Sequence, residues 1–312
     1  MITKTAPQFK NLIDVLDYFK EETTCRMFLA QQRWGDKPCC PHCGNAEKIY
    51  VTNRGYKCAE KSCTKKFSVT TGTVMENTKI KLRLWYAAMY LISSHKRGVS
   101  SYELARDLKI SQQTAWFLNH RIREMFKLRA PERILIDGTV QSDESFFGGK
   151  NKNRHADKKV KNSQGRSFKD KTPIMGILDD KGKVRTFQVP NTEAKTLLPI
   201  LEKNLAIGAT LMTDEWTGYS GASDLFNHKI VKHGAKQYVS EDGAHCNGVE
   251  NYWSIAKRTL ACYYHFTPKH IERYMDETTY RFNTRLLTNE ERFTILTTRV
   301  DGRLKYRDLI AK

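Results

Sequence analysis

Two closely spaced pairs of cysteines constrain the N-terminal part of this chain more than any other feature. Cys40 and Cys43 enclose two residues, Cys58 and Cys63 enclose four, and the segment IYVTNRGYK between the pairs has the pattern of a hairpin. Four thiolates spaced in this way are typical of a tetrahedral structural zinc site, and so short a segment has few other means of folding stably. Disulfides are the alternative, but the polar start of the chain does not resemble a secretory signal. The pattern therefore predicts Zn2+ at these cysteines, with Cys39 as an alternative to Cys40.

The charge balance indicates a polyanionic partner. The 312 residues include 53 Lys and Arg against 34 Asp and Glu, which gives a net charge of +19. Basic residues bind phosphates largely by releasing condensed counterions, so DNA or RNA explains the charge well; a merely soluble basic protein is the alternative. No apolar run approaches the roughly 20 residues that a membrane span needs. We expect two or three domains, no membrane partner, and a cytoplasmic, nucleoid-associated location.

Helical periodicity follows the cysteine-rich segment. Ser100 and Ser111 each precede a short helical pattern, and the second pattern covers residues 112–126. Two short helices joined by a tight turn form the outline of a helix-turn-helix, whose second helix reads DNA. The alternative is a plain helical bundle between two domains. The DNA contacts that this pattern predicts are Gln112, Gln113, Thr114 and Arg121.

Two acidic residues in the C-terminal half follow strand-like segments. Alternation over Ile134–Val140 predicts a strand that ends just before Asp143, and the apolar run Ala209–Met212 predicts a short buried strand with Asp214 at its end. Carboxylates at strand ends are a common way to hold Mg2+, which takes a few carboxylate oxygens and leaves its other positions to water and phosphate.

The stretch HCNGVENYWSIAK predicts a helix with one apolar and one polar side. The apolar side consists of Val249, Tyr252, Trp253, Ala256 and Leu260, and the polar side of Asn247, Glu250, Ser254 and Lys257. A solvated helix face is the simplest interpretation of the polar side. The two earlier acidic residues favour another, in which Glu250 is brought beside Asp143 and Asp214 to complete a metal site.

The spacing of these acidic residues leads to a family resemblance. Between Asp214 and Glu250 lie 35 residues, and Lys257 follows Glu250 by 7. In this the sequence resembles the DDE transposases, whose RNase H-like domain uses Asp, Asp and Glu with that interval and a Lys or Arg two helical turns later. The motifs SDESFFGGKNKNR, TDEWTGY, HCNGVENYWSIAKR and YYHFTPKHIERYMDE resemble those of the bacterial ISXO-like insertion-sequence transposases, which are related to the eukaryotic Merlin elements. With the cysteine-rich segment, the resemblance covers nearly the whole chain.

The resemblance implies a multidomain α+β protein. We expect a helical lead-in over residues 1–35, a zinc-beta ribbon over 36–76, a helix-turn-helix DNA-binding region over 77–130, and an RNase H-like α/β catalytic domain with C-terminal helices over 131–312. The expected activity is DNA transposition by a two-metal mechanism that cuts the element ends and joins them to target DNA. Because two ends are joined in concert, a homodimer or higher oligomer is also implied.

The same resemblance assigns roles to single residues. Asp143, Asp214 and Glu250 would bind Mg2+ (or Mn2+), and Lys257 would position DNA or steady Glu250. Some members of the group are described with Asn as the third residue, so Asn247 is a competing ligand. His245, five residues before Glu250, is a further candidate to touch the site.

The segment that follows Asp143 and the two phenylalanines is predicted to be a basic loop. Residues 149–171 are polar and basic without a hydrophobic period, and Lys150 and Arg154 would hold DNA there unless they are only a solvated charge run.

Two other classes of protein are compatible with parts of this sequence. A DNA-binding regulator with an inactive nuclease domain would share the charge and the cysteines, but all three acidic residues are retained. A metal-dependent nuclease or resolvase would cut DNA without joining it.

Overall fold

A computed structural model describes residues 7–127, 129, 133–149, 151, 155–161, 171–231, 245–264 and 266–311. The chain divides into two compact units: unit 1 is Met1–Phe126 with Leu286–Lys312, and unit 2 is Lys127–Arg285.

In the described residues the helices, numbered in chain order, are α1 (Leu12–Tyr18), α2 (Glu22–Trp34), α3 (Leu82–Ser94), α4 (Ser101–Leu108), α5 (Gln112–Arg123), α6 (Ala194–Asn204), α7 (Asn247–Ala261), α8 (Ile271–Asn283), α9 (Asn289–Thr297) and α10 (Tyr306–Ile310). The strands are β1 (Ile49–Thr52), β2 (Gly55–Cys58), β3 (Lys66–Phe67), β4 (Thr139–Phe147), β5 (Thr172–Asp179), β6 (Val184–Gln188), β7 (Thr210–Asp214) and β8 (Asn227–Val231). Within those described residues, every helix is too short or too polar to cross a membrane. The fold is therefore a mixture of α and β elements in two units.

Unit 1 includes helices from both ends of the chain. Phe293 of α9 is fully buried, and its ring centroid lies 5.1 Å from that of Phe9 and 5.6 Å from that of Tyr90 on α3. The backbone N–H of Phe9 also donates to the Glu290 carboxylate at 3.0 Å. The domain expected over residues 131–312 included α9 and α10, but from Leu286 onward the chain groups with unit 1. The physical reason is that the apolar partners of Phe293 come from the N-terminal helices.

The small sheet of unit 1 is an antiparallel hairpin with a third short strand. β2 lies between β1 and β3, and Ile49 pairs with Cys58. The hairpin turns at Asn53 and Arg54, and Gly55, the first residue of β2, has a φ of +142° that is costly for a residue with a side chain. A Cβ at this position would lie 2.6 Å from the Phe67 carbonyl oxygen, so glycine also permits the approach of β3. The hairpin predicted between the cysteine pairs is present.

The helices α4 and α5 begin where the sequence predicts, but α5 ends at Arg123, and the last three predicted residues, Glu124–Phe126, form a 3-10 turn. The Ser100 hydroxyl accepts from the backbone N–H of Glu103, whose side chain in turn accepts from the N–H of Ser100, and this capping box starts α4. Lys109 adopts a left-handed conformation that ends α4, and the Ser111 hydroxyl caps α5. The pair is thus two short helices joined by a tight turn.

Unit 2 is organised around a five-stranded sheet with the order β6-β5-β4-β7-β8. β6, β5 and β4 are antiparallel neighbours, whereas β4, β7 and β8 run parallel. On one face α6 packs through Leu197 and Leu201. On the other face α7 and α8 pack through residues such as Trp253 and Tyr274. Strand β4 is central and has a helical layer on each side.

Strand β4 is longer at its C-terminal end than the sequence predicts. The predicted strand ended just before Asp143, at Val140, but β4 runs from Thr139 to Phe147 and Asp143 lies in its middle. Val140, Ser142 and Phe147 are buried, so the strand continues through the acidic pair and the two phenylalanines. Asp214, in contrast, is the last residue of β7, as predicted.

Candidate active site

The pairing of β4 and β7 brings two acidic residues to the same level of the sheet. Thr139 pairs with Thr210 and Gln141 with Met212 in the parallel ladder. Two residues further along these strands are Asp143 and Asp214. Neighbouring strands are about 4.8 Å apart, and side chains at equivalent positions point to the same face. The two aspartates are therefore neighbours across adjacent strands.

The face that these aspartates share is the one covered by α7. Asp143 pairs with Gly176 on β5, and a Cβ on Gly176 would lie 2.6 Å from the ring atom Cζ2 of Trp253 on α7. Met212, on the same face as Asp214, packs against the same apolar cluster as Trp253. The absence of a side chain at Gly176 thus lets α7 lie directly against the sheet beside Asp143.

Gln141 connects β4 to the N-terminus of α7. Its side-chain oxygen Oε1 accepts hydrogen bonds from the backbone N–H groups of Gly248 at 2.9 Å and Val249 at 3.1 Å. The first N–H groups of a helix have no partner within the helix, and Cys246 at the N-cap provides no side-chain hydrogen bond. Gln141 therefore replaces a local cap, and it does so from the residue two positions before Asp143.

Glu250 lies in the first turn of α7 and is exposed. Asn247, Ser254 and Lys257 are also exposed, while the apolar residues predicted for the opposite side of the helix are buried. Asn247 and Glu250 are one turn apart on this exposed side, so both stay candidates for a third ligand. The nitrogen Nδ1 of His245 lies 3.4 Å from Nε2 of Gln141, which brings His245 to the same end of the helix.

Cys246, the residue before α7, is buried close to the acidic residues. Cys246 is 2% exposed, and this burial, reinforced by negative charge, raises the pKa of its thiol to about 12. The charges that act on it are those of Asp143, Asp214, Glu250 and Glu144. All three predicted ligands are thus near enough to the start of α7 for their charges to act on this one thiol.

The donor set of these residues suits a hard divalent cation. Mg2+ prefers carboxylate oxygens and keeps several coordination positions for water or phosphate. Within the described residues, the one set of potential ligands whose atoms all lie within 4.8 Å of one another is Cys40, Cys43, Cys58 and Cys63. The three carboxylates are further apart than this and do not form a closed cage. An open arrangement of a few oxygens fits Mg2+ or Mn2+ better than a structural metal.

The cysteine cluster of unit 1 has the dimensions of a zinc site. Sγ of Cys40 lies 3.8 Å from Sγ of Cys63, and Sγ of Cys43 lies 3.6 Å from Sγ of Cys58. Tetrahedral zinc with Zn–S bonds of about 2.3 Å requires S···S distances of about 3.8 Å. Cys39 is directed elsewhere, with its sulfur 3.2 Å from the carbonyl oxygen of Gly44. The four predicted thiols can hold Zn2+, and Cys40 rather than Cys39 belongs to the set.

Comparison with known proteins finds a family match for each of the two parts of the chain that carry these residues. Residues 135–283 match the family model of the ISXO2-like transposase domain, and residues 20–66 match that of the transposase zinc-ribbon domain. An uncharacterized transposase-like protein of Haemophilus influenzae is 33% identical over 104 residues, which cover 33% of this chain and 83% of that protein. This chain belongs to the ISXO2-like transposase family.

Two other relatives extend the comparison. An uncharacterized protein in transposable element ISH50 of Halobacterium salinarum is 27% identical over 78% of this chain and 84% of its own length. The crystal structure of a pre-cleavage Mos1 transpososome aligns with 67% of this chain and 76% of that chain at 13% identity. Its TM-score of 0.25 is too low to support an argument about fold.

The residues predicted to contact DNA in this ISXO2-like chain differ in their surroundings. Gln113 is exposed, Gln112 donates from Nε2 to the Ser101 hydroxyl at 2.9 Å, and the hydroxyls of Thr114 and Ser111 are 2.8 Å apart. All three are at the start of α5, as predicted. The other two residues, Lys150 and Arg154, lie outside the described residues.

Arg121 requires a correction, because it is buried and not displayed on the surface. Its guanidinium donates to the carbonyl oxygen of Glu76 at 2.7 Å and lies over the rings of Trp85 and Phe117. Burial, with the nearby charge of Arg303, lowers the pKa of Arg121 to about 10. In this position the side chain stabilises the packing of unit 1.

Sequence reasoning missed two features of the candidate active site. Gln141 was not singled out, although a polar residue two positions before Asp143 has to face the same side of the strand. Tyr219 was also missed: it is fully buried, and its hydroxyl donates to Glu144 and lies 3.0 Å from that of Ser142. Burial and the Glu144 charge hold the pKa of Tyr219 well above its usual value. The signal available was Tyr219 itself, five residues after Asp214 in the motif TDEWTGY.

Proposed function

We propose that this chain is a DDE transposase that binds the ends of an insertion sequence, hydrolyses a phosphodiester bond there and joins the freed 3′ end to target DNA, where the 3′ hydroxyl attacks a phosphodiester and the 3′ oxygen of the target strand leaves. The observation that carries the proposal is the position of Asp143 and Asp214 on adjacent strands, on the sheet face that α7 covers, with Glu250 in the first turn of that helix. Membership of the ISXO2-like transposase family supports the same conclusion. Transposition requires DNA as partner, which agrees with the net charge of +19.

In the proposed mechanism the three acidic side chains would hold two Mg2+ or Mn2+ ions. When bound, these ions supply activation of the attacking oxygen and stabilisation of the leaving oxygen in an in-line displacement. Asp143 and Asp214 contribute hard oxygen ligands from the sheet, and Glu250 contributes one from the first turn of α7. Lys257, exposed two turns further along α7, contacts the DNA backbone. Asn247 is the alternative third ligand.

The rest of the chain serves to bind DNA in this proposal. Unit 2 is the RNase H-like catalytic domain, and α4 and α5 form a helix-turn-helix whose Gln112, Gln113 and Thr114 meet the element end. The zinc ribbon adds a second contact, and Lys150 and Arg154, which lie outside the described residues, contribute positive charge that binds DNA. Two copies act together on two ends, in the cytoplasm with the nucleoid.

The test is cleavage and joining by the purified full chain on a labelled duplex taken from the DNA that flanks its gene. With Mg2+ or Mn2+ we expect nicking at one defined position followed by strand transfer. Asp214→Asn should lower both steps by at least about 1,000-fold, because several kcal/mol of charge stabilisation are lost, and should leave end binding unchanged. Asp180→Asn, in the turn between β5 and β6, is the matched control and should retain activity.

Three outcomes would contradict the proposal in different ways. Cutting without joining would identify a nuclease or resolvase, and metal-independent binding without cutting would identify a regulator. Equal loss of activity in Asp214→Asn and Asp180→Asn, or loss of DNA binding in Asp214→Asn, would mean that Asp214 has a structural role only.

A further inference from the structure

A network of side chains lies on the face of the sheet opposite to Asp143 and Asp214. Tyr219 is fully buried, and its hydroxyl donates to Oε1 of Glu144 and lies 3.0 Å from Oγ of Ser142. Oγ of Ser142 also donates to the carbonyl oxygen of Gly176 at 3.2 Å. We name Ser142, Glu144 and Tyr219 the Tyr219 network.

The network joins the two chain segments that carry the aspartates. Ser142 and Glu144 flank Asp143 along β4, and because side chains alternate along a strand they face the side of α6. Tyr219 follows Asp214 by five residues, in the turn that leaves β7. The hydroxyl of Tyr219 therefore contacts the residues on both sides of Asp143. Tyr219 itself belongs to the segment that begins with Asp214.

The turn that carries Tyr219 is itself held firmly. The backbone N–H of Trp216 donates to Oδ1 of Asp214 at 3.1 Å, and Nε1 of Trp216 donates to the carbonyl oxygen of Thr192 at 3.0 Å. A Cβ on Gly218 would lie 2.3 Å from that same carbonyl oxygen, so only glycine fits there. Since the turn cannot shift easily, the position of the Tyr219 hydroxyl is fixed relative to Asp214.

The backbone pairing between β4 and β7 ends before it reaches Asp143 and Asp214, so it does not by itself fix their spacing. In the described part of the sheet, the ladder between β4 and β7 covers Thr139 to Gln141 on one strand and Thr210 to Met212 on the other. Asp143 and Asp214 lie beyond its last pair. At their level, the hydroxyl of Tyr219 contacts Ser142 and Glu144 and so joins the two segments.

We propose that Tyr219 is a positioning residue that sets the spacing of the Asp143 and Asp214 carboxylates and thereby the affinity of the site for divalent cations. The inference rests on the proposed function, because it assumes that these two residues bind a metal ion. Tyr219 lies on the opposite face of the sheet and acts only through the backbone of β4 and the turn after β7. Partners that hydrogen-bond directly to metal ligands are typically worth 10-fold to 100-fold in metal affinity or activity, and for Tyr219, which acts through the backbone, we expect the lower end of this range.

The test measures Mn2+ binding to the zinc-loaded full chain by electron paramagnetic resonance, without DNA. For Tyr219→Phe we expect the dissociation constant for Mn2+ to rise about tenfold. The matched control is Tyr263→Phe, because the Tyr263 hydroxyl also donates to a buried carboxylate, Oε1 of Glu277 at 2.6 Å, but at the connection between α7 and α8. The control should change Mn2+ affinity less than about twofold, and thermal unfolding of both variants should remain cooperative.

The result for Asp214→Asn separates this inference from the proposed function. If Mn2+ binding does not depend on Asp214, the proposed active site is wrong. If binding depends on Asp214 but Tyr219→Phe binds as tightly as the wild type, or Tyr263→Phe weakens binding equally, the positioning role of Tyr219 is overturned. Should Tyr219→Phe fail to fold, Ser142→Ala decides, since it removes the other hydroxyl of the network without changing charge; an unchanged affinity would overturn the inference.

Discussion

Gln141 is the residue that links the acidic strand to the helix carrying Glu250. Replacement by Leu keeps the approximate volume but leaves the N–H groups of Gly248 and Val249 without their acceptor. Loss of a helix cap costs about 0.5–2 kcal/mol, so we expect Gln141→Leu to lower the free energy of unfolding of unit 2 by that amount. DNA cleavage should fall further than stability alone explains, because Glu250 is in the same turn of α7.

Urea unfolding and a cleavage assay at a temperature where the variant is folded would measure both effects. The control is Gln188→Leu, which replaces an exposed glutamine at the end of β6 in the same unit. Equal stability of Gln141→Leu and wild type would show that the contacts of Gln141 do not hold α7.

At the scale of single residues, sequence reasoning succeeded where the chemistry is carried by local spacing. The set Cys40, Cys43, Cys58 and Cys63 follows from two short intervals, and the structure brings these four thiols together. It failed for Arg121, because the sequence shows a charge on a helix but not that Trp85, from another helix, covers it. The cap by Gln141 was equally hidden, since its partners are more than 100 residues away.

Helix α7 is the element on which the arrangement of the site depends, and Gly176 determines how closely it approaches the sheet. A methyl group at Gly176 would lie 2.6 Å from Cζ2 of Trp253, so in Gly176→Ala either Trp253 or the whole helix must move. Overpacking of this kind costs about 1–3 kcal/mol. We expect a lower melting temperature together with weaker Mn2+ binding, because Glu250 moves with α7.

Two further variants make this prediction specific. Gly149→Ala is the control, because no atom lies within 4 Å of the added methyl group and stability should not change. The double variant Gly176→Ala with Trp253→Phe should recover part of the Mn2+ affinity, since the smaller ring gives the methyl group space. A double variant no better than Gly176→Ala would argue against the contact with Trp253 as the cause.

Among the elements, α7 was the most predictable and the sheet the least. The helical period gave the buried and exposed sides of α7, and the structure shows the same division. The extent of β4 was underestimated, because Asp143 and Glu144 interrupt the apolar alternation although pairing with β5 from Val140 to Phe147 keeps the segment extended. Register between β4 and β7, which makes the two aspartates neighbours, depends on long-range pairing that a single sequence does not specify.

At the scale of the whole molecule, the division into two units predicts that the zinc ribbon and the acidic site can be disturbed separately. The thiol cluster lies in unit 1 and the acidic residues lie in unit 2. Binding of structural zinc contributes about 10–16 kcal/mol to the folding of small zinc modules, so without metal the hairpin β1–β2 should not stay folded. Unit 2 has its own apolar clusters on both faces of its sheet and should remain folded.

Cys58→Ser, or treatment with a strong chelator, should therefore reduce zinc content from one equivalent per chain to near zero and abolish binding to the element end. Hydrogen exchange should show loss of protection in β1 and β2, while β4, β5 and α7 stay protected. Cys39→Ser is the matched control and should keep its zinc, because the Cys39 sulfur contacts the Gly44 carbonyl and is not part of the cluster. Loss of protection across β4 and α7 on zinc removal would instead mean that the two units fold as one cooperative body, and the ribbon would then be required for the catalytic fold as well as for DNA binding.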